Sequence, residues 1–194
     1  MPLLETVPLG SLWLPILLSA VFTFIGSALI WTTLKWHDAD WKLVPDEAAI
    51  QEALRQAGVT TGQYMFPHMD PKAIDKGESK RTWEERYARG PVGVVFAGKP
   101  GKMNMGKTMG QSLVYMLVVS FFLAYIASHA LGWGAPYLKV FQIVGAAGFL
   151  AYGAGSVMDS IWFYRSWRAT CLGLLDALIY GCLTAGTFGW LWPR

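Results

Sequence analysis

Four apolar stretches, divided by one long polar segment and two short turns, set the pattern of this chain. The first, Ser11–Leu34, carries no charge over 24 positions. At about 1.5 Å rise per helical residue, that length spans a hydrocarbon core of roughly 30 Å. No Lys or Arg precedes it in MPLLETVPLG and no small-residue cleavage site follows, so it reads as a span rather than a signal peptide. The second, Ser112–Leu131, runs into the helix-breaking Gly132, Trp133, Gly134 and Pro136. The third begins after Lys139 and continues to Tyr164 with Asp159 as its one charge, and the fourth runs from about Ala169 to Trp192 with Asp176 as its one acid. The pattern predicts an all-α integral membrane protein with four transmembrane helices and a mixed loop subdomain. Residues 1–34 form the N-terminal tail and first helix, 35–109 the loop, and 110–194 the other three helices.

Within the loop, Asp46 and Glu47 at the start, Arg55 near the end and Gly58 beyond it predict a helix near 46–57, with Ala49, Ile50, Ala53, Leu54 and Ala57 on one face. Thr82 and Glu85 match a capping box, predicting a second helix over 82–89 that stops at Gly90-Pro91. Pro67, Pro71, Gly62 and Gly77 predict irregular chain over 59–78, and Val92–Ala97 reads as a short strand.

Composition agrees with membrane residence, since only 15% of residues are charged and 54% are hydrophobic, whereas soluble domains carry about 25% charged residues. Twelve of the sixteen Lys and Arg lie between Lys35 and Lys107, and Arg165 and Arg168 fall on the same side, leaving Lys139 and Arg194 opposite. Basic loops resist translocation, so the loop is expected in the cytoplasm and both termini in the periplasm. Trp13, Trp133, Trp190 and Trp192 would mark one interface, and Trp31, Trp36, Trp162 and Trp167 the other. The net charge of +3 includes no basic tract dense enough for nucleic acid, so no nucleic-acid partner is expected. Cys171 and Cys182 lie in the last apolar stretch and read as small packing residues.

Three groups of residues suggest chemistry. Gly101-Lys-Met-Asn-Met-Gly106-Lys107-Thr108 fits the phosphate-binding pattern G-x-x-x-x-G-K-[ST]. The helix after it is a membrane span and no Asp-ended strand is available for magnesium, so nucleotide binding is not expected. Lys99, Lys102 and Lys107 are read instead as headgroup contacts for anionic lipid. Met65, His68, Met69, Met103, Met105 and Met109 are soft donors that would suit copper(I), and His37 with Asp38 and Asp40 forms an interfacial cluster, but methionine is ordinarily packing material, and no metal or cofactor is assigned.

The intramembrane acids carry more weight. An antiparallel hairpin would bring Asp159 and Asp176 to similar depth, with Arg165 and Arg168 in reach and Tyr180 one turn beyond Asp176. They would then either clamp the hairpin or relay a proton or cation. Small residues recur every fourth position as Ala177, Gly181, Ala185 and Gly189 in the fourth helix, and as Ala147, Ala151 and Gly155 in the third. Such ridges let helices approach closely in lipid.

Gly155-Ser-Val-Met-Asp159-Ser-Ile-Trp162, Trp167-Arg168, Asp176-Ala-Leu-Ile-Tyr180 and Thr187-Phe-Gly-Trp190-Leu-Trp192-Pro resemble the C-terminal helical hairpin of uncharacterised bacterial four-helix inner-membrane proteins. That resemblance implies bacterial origin and the same topology, with no activity or site residue attached. With no catalytic constellation, the chain is expected not to be an enzyme. It is expected to be an accessory, structural or assembly subunit of a larger inner-membrane complex, its partners being the lipid bilayer and other membrane subunits or a second copy. The alternatives are a small solute or ion transporter using Asp159 and Asp176, or a copper-handling protein.

Overall fold

A computed structural model describes residues 6–68 and 77–194. Four helices are long and apolar enough to cross a membrane: Leu9–Leu34, Met105–Ala130, Tyr137–Trp162 and Trp167–Trp190. The chain is mostly helical and divides into two units, the four spans with their short connections and a smaller loop unit over Lys42–Met103 that includes Trp162–Tyr164.

Each span starts and stops for a local reason. The first begins with a 3-10 turn at Leu9–Leu12, continues as α-helix over Trp13–Leu29 and ends in a π-helical turn at Ile30–Leu34, after which Lys35 adopts a left-handed conformation (φ 53°) that stops it. Asn104 caps the second, its side-chain oxygen accepting from the Lys107 amide at 2.9 Å. Pro136, with φ fixed and no amide hydrogen to leave orphaned, opens the third. A π-helical turn at Leu150–Ala154 interrupts that span before Ser156–Trp162 completes it. Ser166 caps the fourth by accepting from the Ala169 amide at 3.2 Å.

The third and fourth spans share the most extensive contact, and the first span packs on both the fourth and the second. Glycine makes the third–fourth contact possible. A Cβ on Gly181 would lie 3.1 Å from the Gly145 carbonyl oxygen and the Phe149 amide, and one on Gly153 would lie 2.6 Å from the Ala177 Cβ. Ala185 is fully buried against the same face and Gly189 accommodates the Tyr137 ring. Thus Ala177, Gly181, Ala185 and Gly189 are consumed inside the chain. The other ridge points differently: Ala151 and Gly155 are exposed, and the third span approaches the fourth through Gly145, Gly148 and Gly153.

The core is apolar toward one end of the bundle. Leu12, Leu123, Val140, Val144, Ala185 and Phe188 pack there with Leu131 and Trp192, and the Trp192 indole N–H donates to the Gly132 carbonyl at 3.0 Å. Trp192 is therefore an internal packing residue, while Trp13, Trp133 and Trp190 lie on the outside of the bundle. Cys171 and Cys182 are exposed on the outside of the bundle rather than packed inside.

In the loop unit, a helix over Glu47–Gln56 is capped by Asp46, whose carboxylate accepts from the Ala49 amide at 3.0 Å. Arg55 donates to Glu52 through Nε at 2.9 Å and Nη2 at 2.7 Å, and this holds the Glu52 carboxyl below the usual range. Strands β1 (Gly62–Phe66) and β2 (Gly93–Ala97) pair antiparallel with Tyr64 opposite Val95. Part of the segment expected to be irregular is thus a strand. Its last two residues open the next helix, and residues 69–76, including Met69, lie outside the described residues. The second loop helix runs over Gly77–Arg89, starting five residues before the predicted Thr82, because Lys80–Glu84 and Arg81–Glu85 pairs at helical spacing support the earlier turn.

Candidate functional site

A polar seam lies between the first and fourth spans. On the first, Ser19, Thr23, Ser27 and Trp31 recur every four residues; on the fourth, Asp176, Tyr180 and Thr184 do the same. Residues four apart share one helix face, so each series is a stripe. Because the spans run antiparallel, the stripes meet in register. Thr23 and Thr184 hydroxyls lie 3.2 Å apart, and Tyr180 faces Ser27 and Trp31 one turn nearer the other end. The second span contributes Ser120, whose hydroxyl accepts from Ser19 at 3.1 Å. The third contributes Tyr152, directed at Thr184, Ser120 and Thr23. All four spans thus place hydroxyls in one nest at mid-height, and the Tyr152 and Tyr180 rings meet edge-on at 5.7 Å.

The seam ends in an ion cluster where the first span stops. The reversal at Lys35 lets the chain turn back beneath the span, and a short 3-10 turn at Asp38–Asp40 carries His37 and Asp40 inward. His37 Nε2 lies 2.9 Å from Asp176 Oδ2, and Nδ1 lies 2.7 Å from Asp40 Oδ2. Arg168 donates through Nη1 to Asp40 Oδ1 and through Nη2 to the Trp36 carbonyl at 3.0 Å. Trp31 stacks on the imidazole, with ring centroids 4.2 Å apart and planes 8° from parallel.

Proton inventory follows from those contacts. Both are hydrogen bonds only if the trio holds one proton more than a neutral imidazole and two carboxylates carry together. With that proton, the formal charges of Arg168, His37, Asp40 and Asp176 cancel, as a buried group of charges requires. Side chains of His37, Asp40 and Asp176 are each only 6–7% exposed. Three buried polar atoms among the described residues have no hydrogen-bond partner: Asp176 Oδ1, Trp36 Nε1 and the Tyr152 hydroxyl. All three belong to this seam or its ion cluster.

Asp159 does not join Asp176. It is half exposed and lies 3.6 Å from Arg165. The π turn explains the difference. By inserting one residue, it moves the close approach to the fourth span from Gly148 to Gly153, five residues on, and one helical repeat later to Ser160, whose hydroxyl bonds Thr170. Asp159 is thereby turned outward. Arg168 does reach the cluster, but through Asp40 rather than through Asp176. His37 and Asp40 were recognisable in the sequence only as an interfacial group, because their partner lies 139 residues away from the histidine.

The remaining groups separate. In the phosphate-loop pattern, the Lys107 amide is engaged by Asn104 and the Thr108 hydroxyl donates to the Asn104 carbonyl at 3.3 Å. The strand before it, β2, belongs to a two-stranded antiparallel pair. Met65 lies in β1 and Met103 is 83% exposed. Among the described residues no three His, Cys, Asp or Glu side chains form a metal-binding group.

No protein-family model matches the chain, and neither a curated protein nor a solved structure is significantly similar to it. Residue roles therefore rest on the chain's own geometry.

Proposed function

We propose that the chain is an accessory, structural or assembly subunit of a larger membrane complex, residing in a bacterial inner membrane with the loop unit in the cytoplasm and both termini in the periplasm. The orientation is supported by the concentration of Lys and Arg between Lys35 and Lys107. The observation that carries the subunit reading is the loop unit's surface. Leu43, Ile50, Phe66, Phe96 and Met103 all stand exposed, Phe96 at 66% and Leu43 at 84%. A polar extramembrane unit that leaves large apolar side chains uncovered has surface suited to a partner. The small-residue ridge of the fourth span is used internally, so partner contact is assigned to the loop unit rather than to that ridge.

Purification from native membranes in mild detergent, followed by native mass measurement, tests this. The expected result is a mass above that of one chain, with a stoichiometric partner or second copy. Joint replacement Ile50→Ser and Phe96→Ser should strip that association while leaving the chain's own elution and thermal unfolding unchanged. A lone monomer in the unaltered protein would remove the proposal.

A further inference from the structure

The seam contains more polarity than adhesion between helices needs. Glycine and alanine join the third and fourth spans with backbone-close packing and no charge, whereas the first and fourth meet through a carboxylate, an imidazole, a phenol and hydroxyls. Ionisable groups inside a span are costly to keep and ordinarily mark pathways. Both π-helical turns also fall on this seam: Ile30–Leu34 presents Trp31 and Leu150–Ala154 presents Tyr152. Such turns are frequent at functional positions because they re-aim one side chain and loosen the backbone ladder.

We propose that the seam is a proton half-path: protons enter at the Arg168–Asp40–His37–Asp176 cluster, pass by Tyr180 to the hydroxyl nest around Tyr152, and stop at the apolar layer of Leu12, Leu123, Val144 and Phe188. Each station is a group that can accept one hydrogen bond and donate another: carboxyl, imidazole, phenol, then the hydroxyls of Thr23, Thr184, Ser120 and Ser19. A proton moves by arriving on one atom while another leaves the far side of the same group, so no electron transfer or co-reactant is involved. Asp176 Oδ1 is buried with no hydrogen-bond partner, and Tyr180 stands one turn along the same helix face, so the carboxyl is the station that hands the proton onward. Tyr152, also unpartnered, is the last acceptor before the stop. Beyond it, Leu12, Leu123, Val144 and Phe188 are each no more than 2% exposed and offer no hydrogen-bonding side chain. Apolar constrictions close such paths by excluding water.

This inference rests on the membrane placement of the spans and is independent of the subunit reading. Vesicles carrying the purified chain and an internal pH-sensitive dye, held at fixed potential and given an external acid pulse, provide the test. The unaltered protein should leak no faster than protein-free vesicles. Phe188→Ser, or Val144→Ser from the neighbouring helix, should raise proton entry on the order of tenfold by wetting the apolar layer. In either background, Asp176→Asn and Tyr152→Phe should each return entry to near the protein-free rate. Both opened variants remaining tight, or a leak indifferent to Asp176→Asn and Tyr152→Phe, would overturn the proposal. Each variant must elute as the unaltered protein does. If neither opened variant does so, infrared difference spectra in deuterated buffer decide on the unaltered chain, with bands assigned by Tyr152→Phe. Exchange of the Tyr152 hydroxyl within seconds is expected, and a hydroxyl still unexchanged after hours would contradict the path.

Discussion

His37→Leu is expected to lower the stability of the four-span unit by about 3–5 kcal/mol, the usual loss when one member of a buried ionic group is removed and its partners stay behind. Among the described residues the imidazole alone bridges Asp40 and Asp176, with contacts of 2.7 and 2.9 Å. Leucine would leave Asp176 with no hydrogen-bond partner among the described residues at either oxygen, since Oδ1 already has none. Asp40 would keep Arg168, so the damage should concentrate on Asp176. Reversible unfolding in detergent micelles measures the loss. The triple replacement His37→Leu, Asp40→Leu and Asp176→Leu should recover much of it, because removing all buried charges together avoids stranding any of them. A single replacement costing under about 1 kcal/mol would mean that the cluster contributes no more than an ordinary surface pair.

Gly153→Val should be the second large effect, and it acts on a different contact. Any Cβ at this position falls 2.6 Å from the Ala177 Cβ and 3.2 Å from Leu174, and neither the alanine methyl nor its helix can yield without parting the spans. Overpacking of this kind costs typically 1–3 kcal/mol, and a bulkier branched side chain belongs at about the upper end. Gly155→Val provides the control. Its Cβ would meet nothing within 4 Å and its φ is an ordinary −61°, so stability should hold or rise slightly as a glycine leaves a helix. Equal behaviour of the two variants in the same unfolding measurement would refute the close approach at Gly153.

Much of the fold was readable because bilayer length leaves few ways to arrange four long apolar runs. The Leu9–Leu34 and Trp167–Trp190 spans lie within a few residues of the runs that hydropathy outlines. Details that depend on one inserted residue were not readable. A regular four-residue step carries Ala147 through Ala151 and Gly155 to Asp159, and nothing local to Leu150–Ala154 announces the π turn that diverts it. That one residue separates the expected pair of facing acids from the observed arrangement, in which Ser160 faces the fourth span and Asp159 pairs with Arg165.

The seam itself was partly legible. Asp176 and Tyr180 stand out as intramembrane polar groups, and extending the same step to Thr184, and along Ser19, Thr23 and Ser27, gives both stripes. What sequence spacing does not supply is their mutual register or the return of His37 beneath the span, since both depend on long-range packing. Strand β1 was hidden for another reason: Gln63, Tyr64 and Met65 lie between Gly62 and Pro67, and the punctuation outweighs so short a run.

A double-mutant cycle on His37 and Asp176 tests most directly whether the end of the first span is held to the fourth by this ion cluster. Unfolding free energies of the unaltered protein, His37→Leu, Asp176→Leu and the double variant would be compared in one detergent. Direct contact predicts a coupling energy of at least about 2 kcal/mol, with the double variant less impaired than the two single losses added together. Losses that add to within about 0.5 kcal/mol would contradict the clamp and show that the two residues act independently.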